Sequence, residues 1–322
     1  MELVGNTFYF EWEVVLMEWL QAHIGSAGAA VASFLSTFGE EIVSVAVLGF
    51  LYWCWDKKYG KYVGINMLAA VVWNPMIKNV FLRRRPYFDH AGIACLKPVD
   101  RSADVMDIAA QGYSFPSGHS TNSVTLFGSL ALYGKKKWLA VLAFVLPFLC
   151  GVSRFFLGVH YPTDVLAGWA LGVLVVFAVP FLQKKIKNRW VFYGVLFLLT
   201  IPGFFYCRSS DYFTSFGLLV GFVAAAEFEE RFVRFGPTHH PLSILLRLVL
   251  GVGIYFLLLN ALKLPFPKEL LNSGTTGAYL VRTARYALST FLVMGVYPIL
   301  FRYTDRLFRQ KAAPEPEEET GA

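Results

Sequence analysis

Nine mostly apolar stretches, each close to bilayer-crossing length, run through this 322-residue chain at about 27–55, 62–82, 119–133, 138–156, 163–182, 190–206, 213–228, 243–261 and 286–303. A helix needs about 20 such residues to cross the hydrocarbon core. In lipid the backbone must satisfy its own hydrogen bonds, so segments of this length fold as helices. The first stretch is too long for one span and holds Gly39-Glu40-Glu41 as its breaking point, while the third is short and needs extending at one end. Only 16% of residues are charged and mean hydropathy is +0.50, where a soluble domain carries about 25% charged residues. The expected fold is all-α: a polytopic membrane helical bundle without internal repeats. Its expected parts are an N-terminal interfacial segment (1–26), a core (27–189), about three additional transmembrane helices (190–311) and a disordered acidic tail (312–322).

Net charge is +7. In a soluble protein that balance suggests nucleic acid, but here the basic residues sit in short clusters between apolar runs and read as loop anchors. With nine spans, 17 of the 29 Lys and Arg residues fall on one side, including Lys57, Lys58, Lys61, Lys135–Lys137, Lys184, Lys185, Lys187, Arg189, Arg231, Arg234, Arg247 and the tail. The richer side is expected to be cytoplasmic, which places the amino terminus outside and the carboxy terminus inside. Residues 9–23 mix Glu11, Glu13 and Glu18 with Trp12, Leu16, Trp19 and Leu20, the pattern of a helix lying in the interface. Cys54 and Cys150 lie in apolar runs; Cys95 and Cys207 both fall on the outer side, and spacing does not fix whether they pair. No Cys-x-x-Cys or His-x-x-x-His pattern occurs, so no metal site is expected.

Charged and polar groups inside apolar sequence are expensive and mark function. Lys78 and Arg85 close the second span, seven residues apart, a spacing that puts both on one face of a helix. Ser117, Gly118 and His119 open the third span, Arg154 closes the fourth, and His160 and Asp164 open the fifth. All of them lie at the outer ends of their spans. Taken singly, Ser117 is a helix cap, Asp164 a first-turn dipole partner and Arg83-Arg84-Arg85 an interfacial anchor. Together their residue types suit a phosphate. Arg offers a planar fork and Lys a point charge, and a helix start adds free N–H groups, with Gly118 permitting close approach. A neutral imidazole at His160 can attack phosphorus, with Asp164 steadying it, and His119 remains to protonate the leaving oxygen and then activate water.

These runs resemble the signature of the type 2 phosphatidic acid phosphatase superfamily, which also includes vanadium haloperoxidases. That signature is Lys, six residues, Arg-Pro, then Pro-Ser-Gly-His, then Ser-Arg, five residues, His, three residues, Asp. It stands here without departure as Lys78…Arg85-Pro86, Pro116–His119 and Ser153-Arg154…His160…Asp164. The resemblance implies a six-helix core, hydrolysis of a phosphate ester through a phosphohistidine at His160, acid–base work at His119, phosphate binding by Lys78, Arg85, Ser117, Gly118 and Arg154, and no cofactor. The expected partners are a lipid phosphate or pyrophosphate substrate and membrane lipids, with no nucleic acid. Competing readings are a lipid phosphotransferase, a vanadate-dependent haloperoxidase and a non-enzymatic binder or transporter of phosphorylated lipids.

Other features carry weaker expectations. Asn74-Pro75 is expected to kink the second span, the polar loop 83–114 to form either a lid or a plain connector, Glu227–Arg231 to be a solvated helix end with local ion pairs, and His239-His240 to sit in a loop.

Overall fold

The computed structural model describes residues 5–303. The expected acidic tail and the tail cations Arg306, Arg309 and Lys311 lie outside the described residues. Ten main helices follow in order: α1 (Glu11–Ser36), α2 (Glu41–Phe50), α3 (Lys57–Phe81), α4 (Gly118–Gly134), α5 (Lys137–Phe156), α6 (Pro162–Lys185), α7 (Arg189–Leu198), α8 (Ser210–Phe228), α9 (Pro241–Ala261) and α10 (Thr276–Phe291), with no strand among the described residues. Among the described residues six helices are long and apolar enough to cross a membrane, from α5 to the segment Thr276–Tyr303, and Gly25–Gly39 with Glu41–Trp55 forms a further pair bent by 45°. The chain is a multi-pass integral membrane protein. The bend falls at Gly39-Glu40-Glu41.

The nine expected spans are therefore not equivalent. α3 and α4 fall outside the set that is long and apolar enough to cross, α4 being 17 residues long, and both carry polar groups. Both are inner helices that face other helices, so their polar groups are satisfied by neighbours. Asn66 of α3 donates to Ser129 Oγ of α4 at 3.0 Å, Asn74 to Thr121 Oγ1 at 3.1 Å, and Thr121 Oγ1 to Gly168 O of α6 at 3.2 Å. α3 passes Pro75 as one continuous helix; around it Asn79 donates to the Pro75 carbonyl at 2.7 Å and Asn74 ties the turn to Pro116 O. Two glycines let the layers close: a Cβ on Gly168 would stand 2.6 Å from Ser117 O, and one on Gly39 2.5 Å from His119 O. They draw α6 and the α1–α2 break against the head of α4.

The amino-terminal segment is helical from Glu11 and runs past residue 26, with its backbone broken at Gly25 (φ 59°, ψ 179°). Trp12, Val15 and Trp19 face outward, whereas Glu13 and Met17 are fully buried. Two further expectations change with packing. The carboxylates of the Glu227–Arg231 run pair across the fold rather than locally. Buried Glu229 meets Lys57 at 2.7 Å, and Glu227 meets Lys61 at 3.0 Å and Arg189 at 3.1 Å. These pairs staple α8 to α3 and α7 at the end opposite the phosphate motifs. Arg247, expected as a loop anchor, is buried in α9, stacked 4.1 Å over Phe301 and donating to Trp53 O and Gly236 O.

Candidate active site

The site begins where α3 stops. Leu82 turns left-handed (φ 50°, ψ 34°) and its N–H closes on Lys78 O. The chain then doubles back, with Asn6 N donating to Leu82 O and Arg84 N to Asn6 O. Lys78 and Arg85 thus do not share a helical face as their spacing suggests; the reversal brings their charges together, and each bears on the other. Arg85 N-caps the short turn Pro86–Asp89. Its Nε donates to Gln111 O and Gly112 O at 3.0 Å, its guanidinium donates to Val159 O at 2.9 Å, and it stands 3.4 Å from His160 Nε2. Lys78 Nζ donates to Tyr113 O at 2.8 Å.

Ser117 caps α4: its hydroxyl accepts from Ser120 N at 3.4 Å and from Ser120 Oγ at 3.0 Å, while its own N–H donates to Asp164 O at 2.9 Å. Where Gly118 lacks a Cβ, only Asn74 Oδ1 lies near, at 3.7 Å. Packing does not demand glycine there; the space opens onto a cavity of about 470 Å³ lined by Gly118, His119, Asn122 and Arg154. The opposite wall is the α1–α2 break (Gly39 to Glu41) and the stretch from Lys97 to Arg101. Loop 83–114 is therefore a built wall. Gln111 staples it by accepting from Val99 N and Asp100 N and donating to Asp100 O, and Lys97 fastens it to Ser36 Oγ and Glu40 at 2.6 Å each. Arg154 is buried, and its Nε and one terminal nitrogen have no hydrogen-bond partner. A buried guanidinium with open donors beside a cavity calls for an anion.

His160 lies against Arg85, with Lys78 near enough for its charge to bear on it. Its ring is buried, and the charges of Arg85, Lys78 and Arg154 all bear on it. Burial first, then those cations, hold its pKa well below the usual imidazole value, which favours the neutral ring. Nε2 faces Arg85, and Nδ1 faces Asp164 Oδ2 at 3.4 Å, without the alignment of a hydrogen bond. Every sequence-predicted site residue is thus gathered at one end of α3, α4, α5 and α6.

Three residues join them without any sequence signal. Arg83 is 1% exposed and bridges two buried carboxylates, Asp164 at 2.7 Å and Glu13 at 3.1 Å, with its guanidinium 4.0 Å over Tyr161 and 4.5 Å over Phe8. Glu13 also accepts from Thr163 N at 2.9 Å and Thr163 Oγ1 at 2.6 Å. Asp164 Oδ2 accepts from Tyr161 N at 2.8 Å, closing the start of α6. The third is Lys97. His239-His240 lies in a loop away from this site, where His239 meets Trp55 edge-on at 5.9 Å. All four cysteines are free thiols, so Cys95 and Cys207 are not bridged. Among the described residues no group of three or more His, Cys, Asp or Glu side chains is placed to hold a metal ion.

Residues 58–187 match the PAP2 superfamily, and residues 213–308 match the transmembrane extension of PAP2 superfamily phosphatases. The chain belongs to the PAP2 superfamily. It is similar to an undecaprenyl-diphosphatase of Sulfolobus acidocaldarius, 34% identical over 152 residues that cover 45% of this chain and 65% of that protein. It is 40% identical to phosphatidylglycerophosphatase B of Bacillus subtilis over 85 residues, 24% of this chain and 42% of that protein. It is also 32% identical to a decaprenylphosphoryl-5-phosphoribose phosphatase of Mycobacterium tuberculosis over 149 residues, 45% of this chain and 75% of that protein. The chain thus spans less than two thirds of the length of the first two relatives. No solved structure matches it.

Proposed function

We propose that this protein is a membrane lipid phosphatase that cleaves a lipid phosphate or pyrophosphate through a phosphohistidine, without a metal, at the non-cytoplasmic face. The carrying observation is the buried His160 ring held 3.4 Å from Arg85 and 3.4 Å from Asp164, with Lys78 and Arg154 near enough for their charges to bear on it, and a cavity lined by His119 and Arg154. The relatives named above are phosphatases acting on polyprenyl and glycerolipid substrates by name, which supports the class.

In this reading the phosphoryl group sits between Arg154, Lys78, Arg85 and the N–H groups at the head of α4, with Gly118 admitting its oxygens close to the backbone. These donors meet the charge that develops on the equatorial oxygens. His160 Nε2 donates its lone pair to phosphorus as the ester oxygen departs, and His119 gives that oxygen a proton. The substrate's negative charge, arriving among fixed cations, favours the proton on His119. Asp164 balances the positive phosphohistidine through Nδ1. His119 then takes a proton from water, whose oxygen attacks phosphorus and frees His160. Arg83 and Glu13 are positioning residues: they hold the Asp164 carboxylate and the first turn of α6 against His160. The face assignment rests on the loop charge asymmetry and on the common end of the motif-bearing helices.

The test is phosphate release by the purified full chain, with chelator present, from isoprenyl pyrophosphate, phosphatidate, phosphatidylglycerophosphate, a sphingoid-base phosphate and a sugar phosphate. Release from at least one lipid and little from the sugar phosphate supports the reading. Activity that disappears on adding chelator contradicts it.

A further inference from the structure

A second basic cluster lies in the part of the chain beyond the catalytic motifs. Lys263 follows α9, Lys268 lies on the short turn Lys268–Leu271, and Arg282 and Arg285 sit one turn apart on α10. With Asn272 and Leu271 these four cations surround a separate cavity of about 220 Å³. No carboxylate lines it, and none of the four has an ion-pair partner among the described residues. Glu269 is exposed and off the lining.

The cluster is built rather than scattered. Arg285 is only 7% exposed; one terminal nitrogen donates to Leu259 O at 2.8 Å and its Nε has no partner. Arg282 is fixed by donating to Thr214 Oγ1 at 3.1 Å. The start of α10, capped by Thr275, presents Ala278 to the same space, which adds the positive end of a 16-residue helix. An unpaired, buried guanidinium with three more cations and no acid is unfavourable unless an anion completes it. The flanking helices are apolar on the outside: Leu264 is 84% exposed, and Leu257 of α9 and Leu280 of α10 are exposed as well. That surface suits acyl chains more than water.

We infer that this cavity is a second phosphate site, taking the headgroup of an anionic membrane phospholipid whose chains lie along α9 and α10. It opens on the same membrane face as the His160 site. Asn79, next to Lys78, hydrogen-bonds Arg208 N and Ser209 Oγ, Tyr279 of α10 donates to Arg208 O, and Arg282 reaches Thr214 of α8. The inference is independent of the phosphatase reading, because a phosphodiester lipid bound there is not turned over.

Native mass spectrometry of the full chain in detergent, titrated with phosphatidylglycerol or phosphatidylcholine, tests it. The expected result is retention of phosphatidylglycerol over phosphatidylcholine, reduced at least fivefold in K263Q/K268Q and in R282Q. Lys263 and Lys268 are exposed, so the double variant reports on binding even if R282Q folds poorly. Phosphate release at the His160 site should stay within twofold in K263Q/K268Q. Equal retention of the two lipids, or unchanged retention in K263Q/K268Q, overturns the site. Displacement of phosphatidylglycerol by millimolar inorganic phosphate alone overturns the lipid assignment.

Discussion

Arg83→Ala probes the part of the site that no motif announces. The side chain makes two ion pairs, to Asp164 at 2.7 Å and Glu13 at 3.1 Å, and all three groups are buried. Removing one partner of a buried pair costs about 3–5 kcal/mol, because the remaining charge has no counterion. Here two carboxylates lose the same partner. They share one cation, so the costs do not add, and a loss near the upper end, about 4–5 kcal/mol, is expected. The loss of contact with the Tyr161 and Phe8 rings adds to it. Catalysis should suffer separately. Freed from Arg83, the Asp164 carboxylate is held only by the Tyr161 N–H at 2.8 Å, and misplacing an orienting group by about 1 Å lowers turnover on the order of 10²-fold. Arg83 does not line the cavity, so kcat should fall while KM stays within about threefold. The assay pairs thermal unfolding in detergent with steady-state phosphate release, and Arg83→Lys serves as the conservative variant. Lys restores charge but not the fork, so partial recovery of stability with poor recovery of kcat is expected. A purely structural role would leave kcat per folded molecule unchanged. Wild-type stability and kcat in Arg83→Ala refute the reasoning.

Gly118→Ala should fold as well as wild type, since a Cβ there meets only Asn74 Oδ1 at 3.7 Å, yet raise KM about tenfold by keeping phosphate off the backbone, roughly 1.4 kcal/mol; a KM at the wild-type value would detach Gly118 from the anion site. The lowered pKa of His160 sets a pH dependence: the unfolded chain binds a proton that the fold does not, so this stability is present above about pH 6.5 and is lost as pH falls through and below that range. Thermal unfolding of wild type and His160→Asn between pH 5 and 8 should therefore converge toward the acid side, and parallel curves would argue against a neutral ring. Lys57→Ala leaves buried Glu229 without its 2.7 Å partner; because Lys57 is partly exposed, a loss of about 2 kcal/mol is expected, read as a lower unfolding temperature with phosphate release per folded molecule unchanged.

Particular residues explain what could be read from the sequence. Ser117 was legible as a helix cap, and it is one. His119, Arg154 and His160 were legible because each sits beside a span end, where any charge must be explained. Arg83 was not, since three successive arginines look alike until the chain reversal at Leu82 points one inward. Glu13 was hidden among Glu11 and Glu18, because its partner lies 70 residues away. The same distance effect hid Glu229, paired with Lys57 172 residues off, and turned an apparent solvated end into a staple. The apolar stretches 62–82 and 119–133 were legible as helices α3 and α4, but not their place inside the bundle, because the partners of Asn66, Asn74 and Thr121 lie on other helices. The Lys78–Arg85 spacing misled for a local reason: seven residues is two turns only while a helix lasts, and this one ends between them.

The central claim is that His160 carries the phosphoryl group. Rapid acid-free quenching of the full chain with a labelled lipid phosphate, followed by digestion and mass spectrometry, measures this directly. The account predicts an acid-labile, base-stable phosphoryl group on the peptide holding His160 during turnover of the wild-type chain, absent in His160→Ala. Label on any other residue, or full turnover by His160→Ala, contradicts it.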